Sequence, residues 1–233
     1  MDDTLPMSAD SSTPTDAAST TQQDIVYGRL RQWVTVGRFL PGQRLKIRDV
    51  AAEMGVGLMP VRAALQRLAA EGALINVPNA GVAVPCMAVA EFDDLLQMRM
   101  LLEGEAAERG AARLDSLQRS AMQRLCQQMG DALSRNDHAA YLAINEDFHV
   151  LLYRAAGSPL LFGLIDALWL KAGPVSNQLF DAPDAVAVLN DAHEDLIKAL
   201  ARSDSAGVRR ALEKDLFVAG QFLRRQLKGT GRG

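Results

Sequence analysis

"GVGLMPVRAALQRLAAEG", residues 55–72, decides how the N-terminal part of the chain is read. Val61, Ala64, Leu65 and Leu68 recur at helical spacing and share one face, while Arg62, Gln66 and Arg67 point elsewhere. Pro60 suits a first helical turn, where its missing N–H would have no helical partner in any case. Gly72 suits the position just past the helix end, and Gly55-Val56-Gly57 reads as a tight turn before it. The stretch predicts a short amphipathic helix over 60–71 with basic residues on its free side.

Residues 22–36 predict a helix with Ile25, Val26, Leu30 and Trp33/Val34 inward, ended by Gly37. "PGQRL" (41–45) turns the chain, and 47–54 form a second short helix with Val50, Ala51 and Met54 inward. "ALINV" and "GVAVP" are β-prone runs around "PNA", a hairpin. Helix, helix, turn, helix and hairpin together make a winged helix-turn-helix over 22–86. In that arrangement the third helix lies in the major groove of DNA and the hairpin reaches the adjacent minor groove.

Charge agrees with this division. Residues 22–85 hold eight basic and four acidic side chains, a balance of +4, although the 233-residue chain has a formal net charge of -3. A basic small module joined to a mildly acidic larger one implies a polyanionic partner for the first part only. With 48% hydrophobic and 5% aromatic residues, the chain reads as an Ala/Leu-rich, mainly α protein. Cys86 and Cys126 are the only cysteines, so neither a disulfide framework nor a cysteine zinc site is expected, and a reducing cytoplasm fits. Residues 1–21 are polar and turn-rich, a disordered tail rather than a signal peptide. "PLLFGLIDALWLK" (159–171) is broken by Asp166 and too short to span a bilayer, so no membrane role is expected.

The turn region resembles the GntR family of bacterial transcription regulators, whose pattern is similar to G-V-S-R-x-P-V-R-x-A-L-x-x-L-x-x-E-G-L. Here it reads G-V-G-L-M-P-V-R-A-A-L-Q-R-L-A-A-E-G-A-L. The resemblance implies that Arg48, the turn residues Gly57, Leu58 and Met59, and Arg62 face double-stranded operator DNA, with Gly81 at the wing; Gln66 lies on the same free face. Gly57 and Leu58 replace the family's hydroxyl and arginine, and "VPNAG" lacks wing-tip basic residues. A changed base preference and a weaker electrostatic grip are expected.

From residue 87 to 228 the pattern is helical, with segments at about 89–113, 116–135, 138–156, 159–171, 184–202 and 205–227. Asp115, Asp137, Ser158 and Asp204 are the expected N-caps, and Gly173-Pro174 and "DAPD" the expected breaks. About six helices imply an all-α antiparallel bundle, and 229–233 a disordered end. Polar residues interrupt its apolar stripes. Arg99 sits among Phe92, Leu95, Leu102 and Ala106; Asn145 and His149 among Leu142, Leu152 and Ala156. His193 sits among Val186, Leu189, Leu196 and Leu200; Asp215 among Val208, Leu212, Ala219 and Phe222. Unpartnered burial of such groups costs several kcal/mol, so they should satisfy one another or a ligand.

Two imidazoles, a carboxylate and an amide oxygen suit a divalent metal: Zn²⁺ first, with Ni²⁺, Mn²⁺ or Fe²⁺ open. Arg99 would clamp the carboxylate of a small acid at the same place, or else pair with Glu103 one turn on. His138, at a helix start, is expected to be solvated. "QMRMLLEGEAA" (97–107) and "NEDFHVLLYRAAGSPLL" (145–161) look like the FCD ligand-binding domain found in one GntR subfamily. Its ligand pattern is similar to [D/N]-x-x-x-H followed by one histidine on each of two later helices. The positions fall on Asn145, His149, His193 and Asp215, with Asp215 where the family has its last histidine. The resemblance implies a homodimer whose helical domain binds a small carboxylate and thereby controls DNA release.

Two rivals remain at this level. A metalloenzyme is suggested by Glu146-x-x-His149, but a di-iron bundle needs a second copy, and the residue three before His193 is Asn190. "HEDLI" (193–197) ends in Ile197 where a zinc protease needs histidine, and no G-x-S-x-G, P-loop or G-x-G-x-x-G is present. No enzymatic activity is expected. The other rival is a DNA-architectural protein whose bundle only dimerises.

Overall fold

The computed structural model describes residues 21–78, 81–181 and 188–229, and the expectations for 1–20, 230–233, the break at 182–184 and Val186 fall outside them. The protein is mainly α, a winged helix-turn-helix followed by a helical bundle. Its elements are α1 (Gln22–Thr35), β1 (Arg44–Leu45), α2 (Ile47–Met54), α3 (Leu58–Ala70), β2 (Ile75–Val77) and β3 (Gly81–Ala83) in the first part. The second part holds α4 (Val89–Ala111), α5 (Ser116–Ser134), α6 (His138–Ala155), α7 (Pro159–Ser176), a 3-10 segment (Asn177–Asp181), α8 (Asp191–Ala201) and α9 (Ser205–Gly229).

α1 begins at a capping box, in which the Thr21 hydroxyl accepts from the Asp24 N–H and the Asp24 carboxylate accepts from the Thr21 N–H. Its buried stripe is Val26, Leu30, Trp33 and Val34, which pack with Val61, Leu65 and Leu68 of α3 in one core. Ile25, expected inward, is 59% exposed. The stripe 26–30–33–34 is centred one residue further on, and this rotates Ile25 to its flank.

The expected hairpin is present, β2 pairing antiparallel with β3 from Ile75↔Ala83 to Val77↔Gly81. "PGQRL" does more than turn. Arg44 and Leu45 pair with Ala83 and Val82, giving a three-stranded sheet in the order β1-β3-β2. A two-residue strand has no legible alternation, so only the pairing partner shows it.

In the bundle, Asp115, Asp137, Ser158 and Asp204 all cap helices as expected, accepting from Gln118, Ala140, Leu161 and Gly207 N–H groups. Arg119 donates to the main-chain oxygens of Leu114, Leu200 and Ala111, tying the ends of α4 and α8 to the start of α5. α9 continues to Gly229, the first residue of the expected disordered end. His138 is stacked on Phe180 with centroids 4.0 Å apart, rather than simply solvated.

The expected break at Gly173-Pro174 does not occur, and α7 runs through both residues to Ser176. Pro174 removes one helical hydrogen bond, but Ala172, Gly173, Pro174 and Val175 are all buried, and that packing outweighs the loss. α7 joins the two parts of the molecule: Leu170 belongs to the first core, and Arg31 of α1 pairs with the Asp166 carboxylate at 2.7 Å. Gly173 permits the closest approach. A methyl group there would sit 2.6 Å from the Thr35 carbonyl oxygen and 2.7 Å from its Cα. Gly173→Ala is expected to lower stability by about 1–3 kcal/mol through forced separation of α7 from α1. The loss should show as a reduced melting midpoint with helical circular dichroism nearly unchanged.

Candidate metal centre and nucleic-acid interface

On the first part of the molecule, Gly57 is the N-cap of α3, and Leu58 and Met59 open the helix 46% and 70% exposed. Arg62 and Gln66 follow on the exposed face of α3, and Arg48 is exposed on α2. Gly81 starts β3 with φ +85°, a backbone region that favours glycine. Arg62, Gln66, Asn76 and Gly81 border one shallow depression between α3 and the hairpin.

The arginines divide into two sets. Arg67 pairs with Glu71 at 3.1 Å and lies over the Tyr27 ring at 3.7 Å, while the Tyr27 hydroxyl donates to Glu71. Arg38 pairs with Glu53 and covers Trp33. Arg48 and Arg62 have no ion-pair partner among the described residues. Both are exposed, as are Leu58 and Met59 at the start of α3.

In the bundle, α6, α8 and α9 bring His149, His193 and Asp215 together, with one ligand atom from each lying within 4.8 Å of the others. The two imidazole Nε2 atoms are 3.1 Å apart, and the Asp215 Oδ2 is 3.6 Å from His149 and 3.9 Å from His193. Asn145, one turn before His149, lines the cavity beside them but makes no hydrogen bond to either histidine. Both histidines are buried. Burial, followed by the neighbouring His193 and Arg99, holds His149 well below the usual imidazole range, so it stays neutral. Burial pushes the Asp215 carboxyl up, and His193 and Arg99 pull it part of the way back.

A hydrogen-bond chain orients the first imidazole. Glu103, 0% exposed, accepts from Arg99 Nε at 2.6 Å and from the Tyr153 hydroxyl at 2.7 Å. With its proton committed to Glu103, the Tyr153 oxygen accepts from His149 Nδ1 at 3.2 Å. Burial and then Glu103 raise Tyr153 well above the ordinary phenol range, which keeps that proton in place. His149 is thus protonated on Nδ1 and carries a bare Nε2 facing His193. Two bare nitrogens at this distance repel unless a proton or a cation lies between them. The His193 Nδ1 is buried without a partner among the described residues. Two imidazole nitrogens and a carboxylate, with the His149 tautomer set from behind by Tyr153, make a donor set that fits a divalent ion.

Of the two expectations for Arg99, the pairing with Glu103 is present. Burial works against its charge, but Glu103, with Tyr153 and Asp215 beyond it, keeps the guanidinium charged, and the side chain also lines the cavity with His149 and Asp215. The enclosed space is about 80 Å³, several times the ~10–15 Å³ that one water requires. Trp169 lies under Arg99, 5.6 Å from guanidinium carbon to ring centroid, and its Nε1–H is buried without an acceptor among the described residues. Further along the wall are Glu146 and, from α1, Thr35 and Val36. Burial, with Asp147 and Asp166 nearby, pushes the Glu146 carboxyl up to about 7, against the pull of Arg31.

Sequence reasoning missed Tyr153, Trp169 and Thr35, and it treated Glu103 only as a rival partner for Arg99. Tyr153 carries the one usable signal, since it stands one turn after His149 on the same face of α6. Thr35 belongs to the other part of the chain, and nothing local marks it.

Comparison with known proteins places these features in a family. Residues 22–84 match the domain described as bacterial regulatory proteins, gntR family, and residues 94–216 match the FCD domain. The chain is 27% identical over 185 residues to the HTH-type transcriptional regulator McbR of Escherichia coli, covering 78% of this chain and 84% of that one. It is 25% identical over 199 residues to the HTH-type transcriptional repressor RspR of the same organism, covering 85% and 87%. The solved structure of E. coli McbR/YncC superposes with a TM-score of 0.83 at 25% identity, covering 89% of this chain and 99% of that one. These relatives are all named as transcriptional regulators, which sets aside the metalloenzyme reading. No described helix is long and apolar enough to cross a membrane. A winged helix with arginines on the exposed face of its third helix, followed by a bundle matching FCD over more than half the chain, identifies the protein as a transcriptional regulator of the GntR family with an FCD domain.

Proposed function

We propose that the protein is a ligand-responsive regulator that binds a pseudo-palindromic operator as a homodimer and acts as a repressor. α3 enters the major groove and presents Arg62, with Gln66 beside it. Arg48 and the Gly57–Met59 turn meet the backbone and neighbouring bases, and the hairpin at Gly81 approaches the minor groove. His149, His193, Asp215 and Asn145 hold one divalent ion, Zn²⁺ first, with Ni²⁺, Mn²⁺ or Fe²⁺ as alternatives. When bound, the ion supplies positive charge and open coordination positions to a small carboxylate. Arg99 supplies a second, fork-shaped contact to that anion.

The observation that carries this reading is the pair of buried imidazoles 3.1 Å apart beside Asp215, where His149 and Asp215 line a cavity that Thr35 of α1 in the DNA-binding part also lines. An acid bound there touches both parts of the molecule. It shifts the arrangement of the reading helices by its differential affinity for two states, typically about 1–3 kcal/mol. The homodimer is supported by large apolar side chains left in solvent on two helices that pack together, Met98 and Leu101 on α4 and Leu160 and Leu164 on α7. The repressor role is supported by the name that the relative RspR carries.

Fluorescence anisotropy on the protein's own promoter fragment tests the DNA reading. Affinity should fall steeply with salt, with a slope of about -0.9 per phosphate contact in log–log form. Arg62→Ala should weaken binding by about 5- to 150-fold per subunit, from a base contact worth roughly 1–3 kcal/mol, without loss of helix signal. A flat salt profile, or full affinity in Arg62→Ala, would refute the assigned reading face.

A further inference from the structure

Three buried polar atoms without partners among the described residues belong to residues lining the same cavity: Trp169 Nε1, Glu146 Oε2 and Thr35 Oγ1. Buried groups left unpaired are uncommon, and several along one enclosed wall point to something that satisfies them. Trp169 stands at the Arg99 end, where its N–H is a donor for the same anion that Arg99 faces. Glu146 Oε2 accepts when the carboxyl is ionised, and the Thr35 hydroxyl can accept as well as donate.

Thr35 is the last residue of α1, only 8% exposed, and is a hydroxyl-bearing residue that the DNA-binding part contributes to the cavity lining. Glu146 stands on α6, where Asp147 and Asp166 add negative charge. Arg31, the nearby cation, is already engaged by the Asp166 carboxylate at 2.7 Å and its main-chain oxygen at 3.1 Å. The cavity lining therefore carries two chemically different groups of side chains. Arg99 and Trp169 offer cationic and N–H donors to an anion, and Glu146 and Thr35 offer a carboxylate and a hydroxyl in acidic surroundings.

Resting on the regulatory reading above, we infer that Glu146 and Thr35 form a second subsite that receives a hydrogen-bond donor, a hydroxyl or an ammonium, at the far end of the effector acid. The effector is then a bifunctional small molecule, with a carboxylate toward Arg99 and Trp169 and a donor group toward α1. Its donor contacts the DNA-binding part directly through Thr35. Gly173, which brings α7 against the Val34 and Thr35 main chain, maintains the seam where this contact forms. A site built to bond a polar group discriminates strongly against an analogue lacking it, because its own buried atoms are then left bare.

Calorimetric titration of the zinc-loaded full-length protein with three series tests this: straight-chain alkanoates of three to six carbons, and the corresponding ω-hydroxy and ω-amino acids. At one chain length a donor-bearing acid should bind at least tenfold more tightly than the plain alkanoate, and which series prevails tells hydroxyl from ammonium. Thr35→Val, which keeps the side-chain shape, should cut that preference below threefold. Glu146→Gln should reduce the preference independently, and the donor-bearing acid should lose its advantage in releasing promoter DNA from both variants. Equal binding of all series at every length, or a preference that survives both substitutions, overturns the subsite while leaving the metal-and-Arg99 reading intact. Failure of every acid to bind removes that reading and the subsite with it.

Discussion

Replacing His149 and His193 together with alanine should remove bound metal completely, from about one ion per subunit to none by elemental analysis of the purified protein. The substitution takes away both imidazole donors and leaves only Asp215 and Asn145, too few to compete with water for a divalent ion. Absolute stability is a poor readout here. Both rings pack edge-on against Phe148, at 5.4 and 5.1 Å between centroids, so the double variant also leaves a cavity. The informative quantity is the response to chelation. An ion present at a hundred times its dissociation constant stabilises the folded state by about 2.7 kcal/mol, so a chelator should lower the wild-type midpoint and leave the double variant's unchanged. Promoter binding without effector should stay within a few-fold of wild type, because the reading face lies on a separate core. The acid response should vanish. A metal content unaffected by the substitutions would remove the assigned centre.

Glu103→Leu should be the most damaging single substitution in the bundle. Glu103 is fully buried and accepts from both Arg99 and Tyr153, so leucine there strands a guanidinium that is itself only 17% exposed. Breaking one side of such a pair costs about 3–5 kcal/mol, well above the value of an exposed ion pair. Arg99→Met combined with Glu103→Leu should recover much of that loss, since no uncompensated charge then remains, and denaturant titrations of the three variants measure the coupling. A second consequence separates orientation from stability. Without Glu103 the Tyr153 proton is free to turn toward His149 Nδ1, favouring the tautomer with its proton on Nε2, where the metal must bind. Metal affinity should fall about 10- to 100-fold in Glu103→Leu, measured below its melting temperature. Unchanged affinity would show that the Glu103–Tyr153 relay does not set the tautomer.

Much of the candidate site was legible because helical periodicity is local. Asn145 and His149, or Leu189, His193 and Leu196, declare a buried face from their spacing alone, and a polar residue on such a face needs a partner wherever the helix is placed. The N-caps at Asp115, Asp137, Ser158 and Asp204 were readable for the same reason. Signals weakened where a structure depends on distant chain. Arg44 and Leu45 become a strand only because Val82 and Ala83 lie beside them. Pro174 should end a helix, and does not, because the surrounding residues are buried against α1. Arg67 looked as free as Arg62 on its helix, yet Tyr27 and Glu71 hold it within the module.

By itself the sequence determined the two-part organisation, the third helix with Arg62 on its free face, and that His149 and His193 lie on buried helix faces. Each follows from residue spacing and from the cost of burying an unpaired group, neither of which needs a three-dimensional arrangement. Only the tertiary structure decided that His149 and His193 meet at Nε2, that Glu103 and Tyr153 stand behind them, and that Thr35 of the DNA-binding part closes the same cavity. Those relations depend on how α1, α4, α6, α8 and α9 are set against one another. Side chains up to 180 positions apart in the chain meet only after packing has fixed those angles, and no local pattern encodes them.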